Sequence, residues 1–516
     1  MRLEFVDVIA FAAFIALVIG VSLRAGREEK DSEDYFLAGR ALPWWLVGIS
    51  LIASNISTEH FVGMAGRGYE LGLAIASYEW MAAVTLVVVA LLFLPRFLRA
   101  GIYTIPEYLE RRYDLRTRTL MAVYMLVAYV LVALATVLYS GALALQTIFD
   151  IPTTPGIWLI GLLAGGYTVY GGLKAVVWSD LIQGLALLAG GALATVLALH
   201  AVGGWGAFVA SSGGRLHTVL PWNDPEMPWV AVFVGGLWIP NLFYWGLNQF
   251  ITQRTLGARS LAEGQKGIFC AAFLKLLIPF IIVLPGIAAV ELYGDAIANP
   301  DQAYPVLIRE LLPPGLTGIM FAALFGAVMS TLDSLLNSAA TIFSVDVYAR
   351  HFRAGADARR MVRVGRITTA VLVVVGCLWA PAVGAAPSVF EYIQKFWGFI
   401  SPGIVTVFLV GIVSRRTPPM AAFGAMLLGI PVYGALLWFV PGVAFLHHMA
   451  ITFVVLVAFM VTWTKAWPLA ADEAEASRAR EAMSTAPDLS LEPARGARLA
   501  GAAIVLATAG LYLIFW

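Results

Sequence analysis

The chain has 516 residues, of which 60% are hydrophobic and only 13% charged, and its formal net charge is +1. So apolar a composition excludes a soluble multidomain protein and fits a polytopic α-helical membrane protein. The balanced charge offers no polyanion-binding surface, and with no basic repeat, zinc spacing or Gly-rich phosphate loop there is little support for nucleic-acid binding.

Apolar runs long enough to cross about 30 Å of hydrocarbon number about fourteen and begin near residues 4, 43, 72, 117, 156, 177, 229, 266, 315, 361, 386, 418, 446 and 496. The first, from Phe5 to Leu23, is interrupted by Asp7 and followed by no small-residue cleavage site, so it reads as a span rather than a signal peptide. Most of the 33 Lys and Arg residues fall in alternate loops: 24–40 (including Arg27 and Lys30), 96–118, Lys174, 254–266 (including Arg254), 350–366, 415–416 and 465–498. Positive charge marks the inward side, which predicts a multi-pass protein of the cell (inner) membrane with both termini extracytoplasmic. The loops at 203–228 and 293–314 are rich in Gly, Pro, Asp and Trp and read as outward lids or short caps. The charged segment Asp472 to Arg495 reads as a solvated helix or linker without chemistry. Cys270 and Cys377 lie in apolar runs and read as small core residues.

Two runs break the pattern. Leu51 to Trp80 starts as an apolar helix and then places Ser54, Asn55, Ser57, Thr58, Glu59 and His60 at membrane depth, where unpaired polar groups are tolerated only around a protein-enclosed cavity. Gly235 to Gln249 is interrupted by Pro240, Asn241 and Gly246, and the chain makes five spans between the breaks. Interrupted helices at matching positions of two five-helix halves point to an inverted-repeat secondary transporter with its site between them. The expected organisation is an extra helix and inward loop at 1–42, a first repeat at 43–202 and an outward loop at 203–228. A second repeat at 229–416 and three C-terminal helices at 417–516, with a cytoplasmic charged loop at 465–495, follow.

Glu79, Asp180, Lys275 and Asp333 lie within spans and read either as site residues or as structural ion pairs in the bundle. Together Asn55, His60, Glu79, Asn241, Lys275 and Gln394 would offer donors and acceptors around one cavity, a mixture suited to a neutral polyhydroxylated ligand. Tyr244 and Trp245 beside the second break, and Phe390 one turn before Gln394, could face the C–H surface of a sugar ring or simply pack. Ser330 and Thr331 read either as small residues at a helix contact or, facing an unwound turn with exposed carbonyls, as ligands for Na+. No nucleophile elbow, zincin or Walker pattern is present, so no enzyme is predicted.

The stretches DYFLAGRALPWWLVGISLIASNIS, HFVGMAG, IASYEWMAA, GIYTIPEYLERRY, YGGLKAVVWSDLIQ, NLFYWGLNQFITQRTLGA, KGIFCAAFLKLLIPF and LNSAATIFSVDVY resemble the sodium/solute symporters, over about residues 34 to 410. Within that family they are most similar to the bacterial sodium/galactose and mammalian sodium/glucose cotransporters. The resemblance implies an all-α, LeuT-type core of inverted five-helix repeats and Na+-coupled uptake of a neutral monosaccharide by alternating access, with the monomer sufficient. It implies a sodium site from the carbonyls of Ala53, Ile56 and Ala327 and the hydroxyls of Ser330 and Thr331. It implies a sugar site from Asn55, His60, Glu79, Asn241, Lys275 and Gln394, gated by Tyr244 below the sugar, Met64 and Phe390 above it, and Trp245. Departures from the family pattern are His60 (Gln in the bacterial galactose carriers), Thr331 for a second Ser, Ala133 for a polar residue, and Asp333. Asp180 and Asp333 are expected to form a second cation site or a proton-linked carboxylate. The alternatives are a carrier of the same fold for inositol, an amino acid, a carboxylate or a nucleoside, or a sugar-gated sensor or channel.

Overall fold

The computed structural model describes residues 5–25, 32–353, 355, 357–385, 389–482 and 489–516. Arg27, Lys30 and part of the 465–495 loop lie outside the described residues. Among those described, twelve helices are long and apolar enough to cross a membrane.

The difference from about fourteen spans has two local causes. The second expected span is split: α2 (Trp44–Asn55) is a short apolar helix, and the chain resumes at Glu59 in a helical run that continues to Ala100. The fifth and sixth expected spans fall within one 50-residue helix, α4 (Thr153–Val202), of which Leu173–Val202 counts as a crossing.

The split at the end of α2 is a true interruption. Ile56 leaves the helix with φ −77° and ψ 102°, and its N–H closes the last turn on the Ile52 carbonyl. The chain then re-forms as a π-helical segment, Glu59–Met64, a geometry that leaves carbonyls outside the regular ladder and concentrates at functional sites. Beyond it, Gly72 turns the chain at φ +77°, and a Cβ there would meet the Arg215 carbonyl oxygen at 2.3 Å. Only glycine allows both the left-handed backbone and the close approach of the 203–228 loop. The next helix, α3 (Ser77–Val88), carries Glu79 in its first turn.

The second interruption lies just past Gly246, beyond Pro240 and Asn241. Pro240 sits in the first turn of a short helix, α5 (Trp238–Leu242), where a missing N–H costs little. A π-helical turn, Phe243–Leu247, follows, and the true break is Asn248, extended at φ −91° and ψ 119°. Tyr129 satisfies this break twice: its hydroxyl donates to Asn248 Oδ1 and accepts from the Phe250 N–H at 3.1 Å. Helix α6 (Gln249–Leu256) then resumes, buried at every residue.

Two long helices complete the frame of the site, α7 (Leu261–Tyr293) and α8 (Leu316–Ile342). Asp7, the charge that interrupts the first helix α1 (Phe5–Ala25), accepts from the N–H groups of Gly315 and Gly318 at 2.7 and 2.8 Å. It therefore caps the start of α8, where a carboxylate complements the helix dipole. Small residues let α8 pack closely: a Cβ on Gly326 would lie 2.8 Å from Gln183 of α4. Helix α9 (Val389–Val413) brings Phe390 and Gln394 to the same region.

The segment expected to be a solvated helix or linker forms a mostly exposed helix with a few anchoring contacts. Helix Ala471–Ala482 places Glu481 within 2.7 Å of Arg415 and 3.2 Å of the Tyr108 hydroxyl, and Ser477 donates to the Arg112 carbonyl at 2.8 Å. Further on, the Leu261 N–H donates to the Ser490 carbonyl at 2.9 Å. The alternating Glu, Arg and Ala of this stretch follow from one face meeting protein charges and the other meeting water. The last helix, Ala497–Ile514, packs behind α3: the Trp80 ring meets Tyr512 edge-on at 5.2 Å, and Trp80 Nε1 donates to the Leu276 carbonyl of α7.

Candidate functional site

The two interruptions meet. Asn55, the last residue of α2, donates from Nδ2 to the Tyr244 hydroxyl at 3.0 Å, so one side-chain bond joins the two broken helices. Around it opens a cavity of about 770 Å³ lined by Asn55, His60, Met64, Glu79, Asn241, Tyr244, Trp245, Phe390 and Gln394. Nine of the predicted ligand and gate residues thus share one space.

Lys275 stands behind the wall. It is fully buried, donates to both Asn55 Oδ1 and Glu79 Oε2, and its ammonium lies 4.8 Å from the centre of the Trp245 ring. The ammonium offsets the Glu79 charge and fixes the amide of Asn55, whose oxygen faces the lysine while its nitrogen faces Tyr244. The other carboxylate oxygen, Glu79 Oε1, lies 3.5 Å from His60 Nε2. His60 Nδ1 has no hydrogen-bond partner and lies 3.9 Å from Glu59 Oε1. Asn241 donates to the Leu237 carbonyl at 3.1 Å, leaving its oxygen toward the cavity it lines. On one side the space is bounded by the rings of Phe390 and Tyr78, edge to face at 5.0 Å.

Below the break, oxygen atoms from α2 and α8 converge. Ser330 Oγ lies 3.5 Å from the Ala53 carbonyl oxygen, and Thr331 Oγ1 donates to the Ser54 carbonyl at 3.2 Å. Ile56, with its backbone out of the helix, and Ala327, one turn before Ser330, are both buried. Hydroxyl and carbonyl oxygens without a bound nitrogen donor are the ligand type that suits a hard monovalent cation.

Asp180 and Asp333 accept different hydrogen bonds. Asp180 of α4 accepts from Ser50, Ser54 at 3.0 Å and Ser330, and lies 3.3 Å from Arg254 NH2. Arg254 of α6, read from the sequence as an inward loop cation, is fully buried; its Nε donates to Ser50 at 2.7 Å and its NH2 to Ser334. A guanidinium therefore holds the place against Asp180 that a second cation was expected to take. Asp333 accepts instead from Thr168. No group of three or more His, Cys, Asp or Glu side chains arranged to hold a metal occurs among the described residues.

Sequence reasoning placed Arg254 in a loop, and it named Glu59 within the polar cluster without giving it a role of its own. The signal for Arg254 was available: it follows the second break by less than two turns, in a stretch whose other residues are too apolar or amide-rich for a loop.

An interrupted helix from each half, a polar cavity between them and a cation-grade oxygen cluster beneath define a secondary transporter with its site at the junction of two repeats. The sodium:solute symporter family pattern matches residues 35–429, and the chain belongs to that family. It is 41% identical to a sodium/glucose cotransporter of Vibrio parahaemolyticus over 100% of this chain and 99% of that protein. It is 35% identical to sodium/myo-inositol cotransporter 2 of Sus scrofa over 83% of this chain and 69% of that protein. Its fold matches that of a Na+-coupled sialic acid symporter with a TM-score of 0.82 at 22% identity, over 90% of this chain and 98% of the other. The LeuT-type architecture expected from the sequence is the one found.

Proposed function

We propose that this protein is a Na+-driven symporter that carries a neutral monosaccharide of the glucose or galactose kind by alternating access. The observation that carries the reading is the pairing of Glu79 with Lys275 beside the cavity, which neutralises that carboxylate among the hydrogen-bonding groups of the lining. Such a site favours a neutral, polyhydroxylated solute over an ion. Kinship to a sodium/glucose cotransporter at 41% identity along the whole chain supports it.

In this mechanism Na+ ties α2 to α8 through the Ala53, Ile56 and Ala327 carbonyls and the Ser330 and Thr331 hydroxyls. Tying these elements together orders Asn55 and His60 beside it, so Na+ and sugar favour the same conformations; a ligand shifts an equilibrium only through differential affinity. Asn55, His60, Glu79, Asn241 and Gln394 bind the hydroxyls, and Lys275 orients two of them. Tyr244 and Trp245 close the inward path, Met64 and Phe390 the outward one. Repeats at 43–202 and 229–416 rock about the site, with both termini outside and the monomer as the working unit. Protons enter only as a secondary matter, through Asp333 or Asp180, whose carboxylates are already hydrogen-bonded by Thr168 and by Arg254 with three serines.

A second solute is favoured by a specific kinship, that to a sodium/myo-inositol cotransporter. The test is Na+-gradient-driven uptake of labelled glucose, galactose and myo-inositol into proteoliposomes. One polyol should accumulate, and Gln394→Ala and Ser330→Ala should each abolish accumulation. Uptake that ignores the Na+ gradient, or that survives both substitutions, overturns the reading.

A further inference from the structure

The central cavity holds one carboxylate that is paired with no lysine or arginine among the described residues. Glu59 opens the π-helical segment that follows the first break, and it lines the cavity beside His60 and Glu79. The Ser57 hydroxyl fixes it there, accepting from the Glu59 N–H at 3.2 Å and lying against its carboxylate. A carboxylate has lone pairs for about four donors, and the nearby ammonium of Lys275 is committed to Glu79 and Asn55. The one ion-pair partner of Glu59 is the His60 ring, with Oε1 3.9 Å from Nδ1. At that distance the two atoms do not bond each other, and a third group between them is called for. The Glu79 carboxylate can only accept, so the ring hydrogen of His60 belongs on Nε2, 3.5 Å from Glu79 Oε1. Nδ1 is then a buried lone pair without a hydrogen-bond partner. Two acceptors, Nδ1 and the Glu59 carboxylate, thus stand side by side in the cavity wall, short of donors.

We propose that Glu59 is a specificity-determining residue of the sugar site, which with His60 Nδ1 takes two neighbouring hydroxyls of the solute, one on each acceptor. The inference deepens the functional reading above and rests on it. Adjacent hydroxyls supply two donors from one rigid ring, whereas a solute without them would strip both acceptors of water and give nothing back. A hydroxyl that donates to a carboxylate makes a charge-assisted bond, stronger than one to a neutral group. The consequence is a filter. An analogue lacking that hydroxyl leaves a desolvated carboxylate unsatisfied, and a site built to bond a hydroxyl rejects such an analogue far more strongly than a pocket that only fits its shape. Glu79 has its charge offset by Lys275, so the sharper discrimination falls to Glu59.

The test is competition by monodeoxy analogues against Na+-driven uptake of whichever of labelled glucose, galactose and myo-inositol the parent carries. It is run in proteoliposomes of the full-length parent and of Glu59 and His60 variants. Glu59→Ala should weaken the carried solute about 30-fold. It should leave inhibition by one monodeoxy analogue unchanged, the one that lacks the hydroxyl on Glu59, and weaken the other analogues as much as the solute itself. His60→Ala should spare an analogue deoxygenated at the neighbouring position. Glu59→Gln, which keeps an acceptor of the same shape, should spare the same analogue as Glu59→Ala with a smaller loss of about threefold, and so separates recognition from misfolding. Three results overturn the proposal while leaving the transport reading standing: equal weakening of every analogue by both Glu59 variants, unchanged affinity for the solute in both, or spared positions for Glu59 and His60 that are not neighbours. Failure of the parent to accumulate any of the three solutes on a Na+ gradient overturns the transport reading itself, and this proposal with it.

Discussion

Replacing Lys275 by methionine removes the ammonium that Asn55 and Glu79 share while keeping most of the side-chain volume. The lysine is fully buried and the Glu79 side chain nearly so, which leaves the orphaned carboxylate little water to turn to. Removing one partner of a buried pair costs about 3–5 kcal/mol, whereas replacing both with neutral groups is close to neutral. Lys275→Met should therefore lower thermal stability sharply, and Glu79→Gln combined with Lys275→Met should recover most of it. Sugar recognition should behave oppositely. Loss of one hydrogen bond from a charged group is worth about 1.5–3 kcal/mol, so the double variant should bind the transported sugar about 10- to 100-fold more weakly even though it is stable. Thermal unfolding followed by tryptophan fluorescence in detergent, paired with uptake KM in proteoliposomes, reads both quantities. A single variant as stable as the parent, or a double variant that transports with unchanged KM, would refute the assignment of the pair as a charge-balanced wall of the site.

Three further outcomes are expected. Thr331→Ser, which keeps the hydroxyl that reaches the Ser54 carbonyl, should leave the Na+ dependence of uptake near that of the parent, whereas Thr331→Val should raise the half-saturating Na+ concentration about tenfold. Burial pushes the carboxyl of Asp301, in the loop between α7 and α8, up to about 6 from the ordinary 3.8. Between these values the folded state holds the proton that the unfolded chain has lost, so stability should fall by about 3 kcal/mol as pH rises from about 4 to about 6 and then level off. Asp301→Asn should flatten that slope in a pH series of unfolding temperatures; an unchanged slope would assign it to other groups. Gly72→Ala should cost about 1–3 kcal/mol through its left-handed backbone and its collision with Arg215, and limited proteolysis should then cut the 203–228 loop faster than in the parent.

How much of this was legible depended on whether the signal was local. The polar cluster from Ser54 to His60 is conspicuous because bilayer chemistry forbids it elsewhere, and the cavity lies there. The second break was read from Pro240, Asn241 and Gly246; a proline in a first turn is harmless, and the interruption lies two residues past Gly246 at Asn248, whose stabiliser Tyr129 lies 119 residues away. Arg254 was assigned to a loop by charge alone, a rule that holds for solvated arginines and fails for one neutralised by Asp180 of a distant helix. Lys275 was expected among the ligands, and only the packing shows that it meets Asn55 and Glu79 from behind the cavity wall. The Asp472 to Arg495 stretch resembled a solvated linker because its docking partners, Arg112 and Arg415, are scattered in sequence.

Trp80 gives the site an unexpected dependence. The residue next to Glu79 is clasped from behind by Tyr512 and Phe515 of the last helix, while its indole N–H holds the carbonyl beside Lys275. The buttress for the most highly charged part of the cavity therefore comes from outside the repeated ten-helix core. A shortened chain ending before residue 497 would keep every ligand and both breaks, yet it would expose the back of Trp80 to lipid and leave the carboxylate and ammonium on helices free to drift apart. The site's geometry thus leans on the last helix, and deletions there should be judged by substrate affinity as well as by expression.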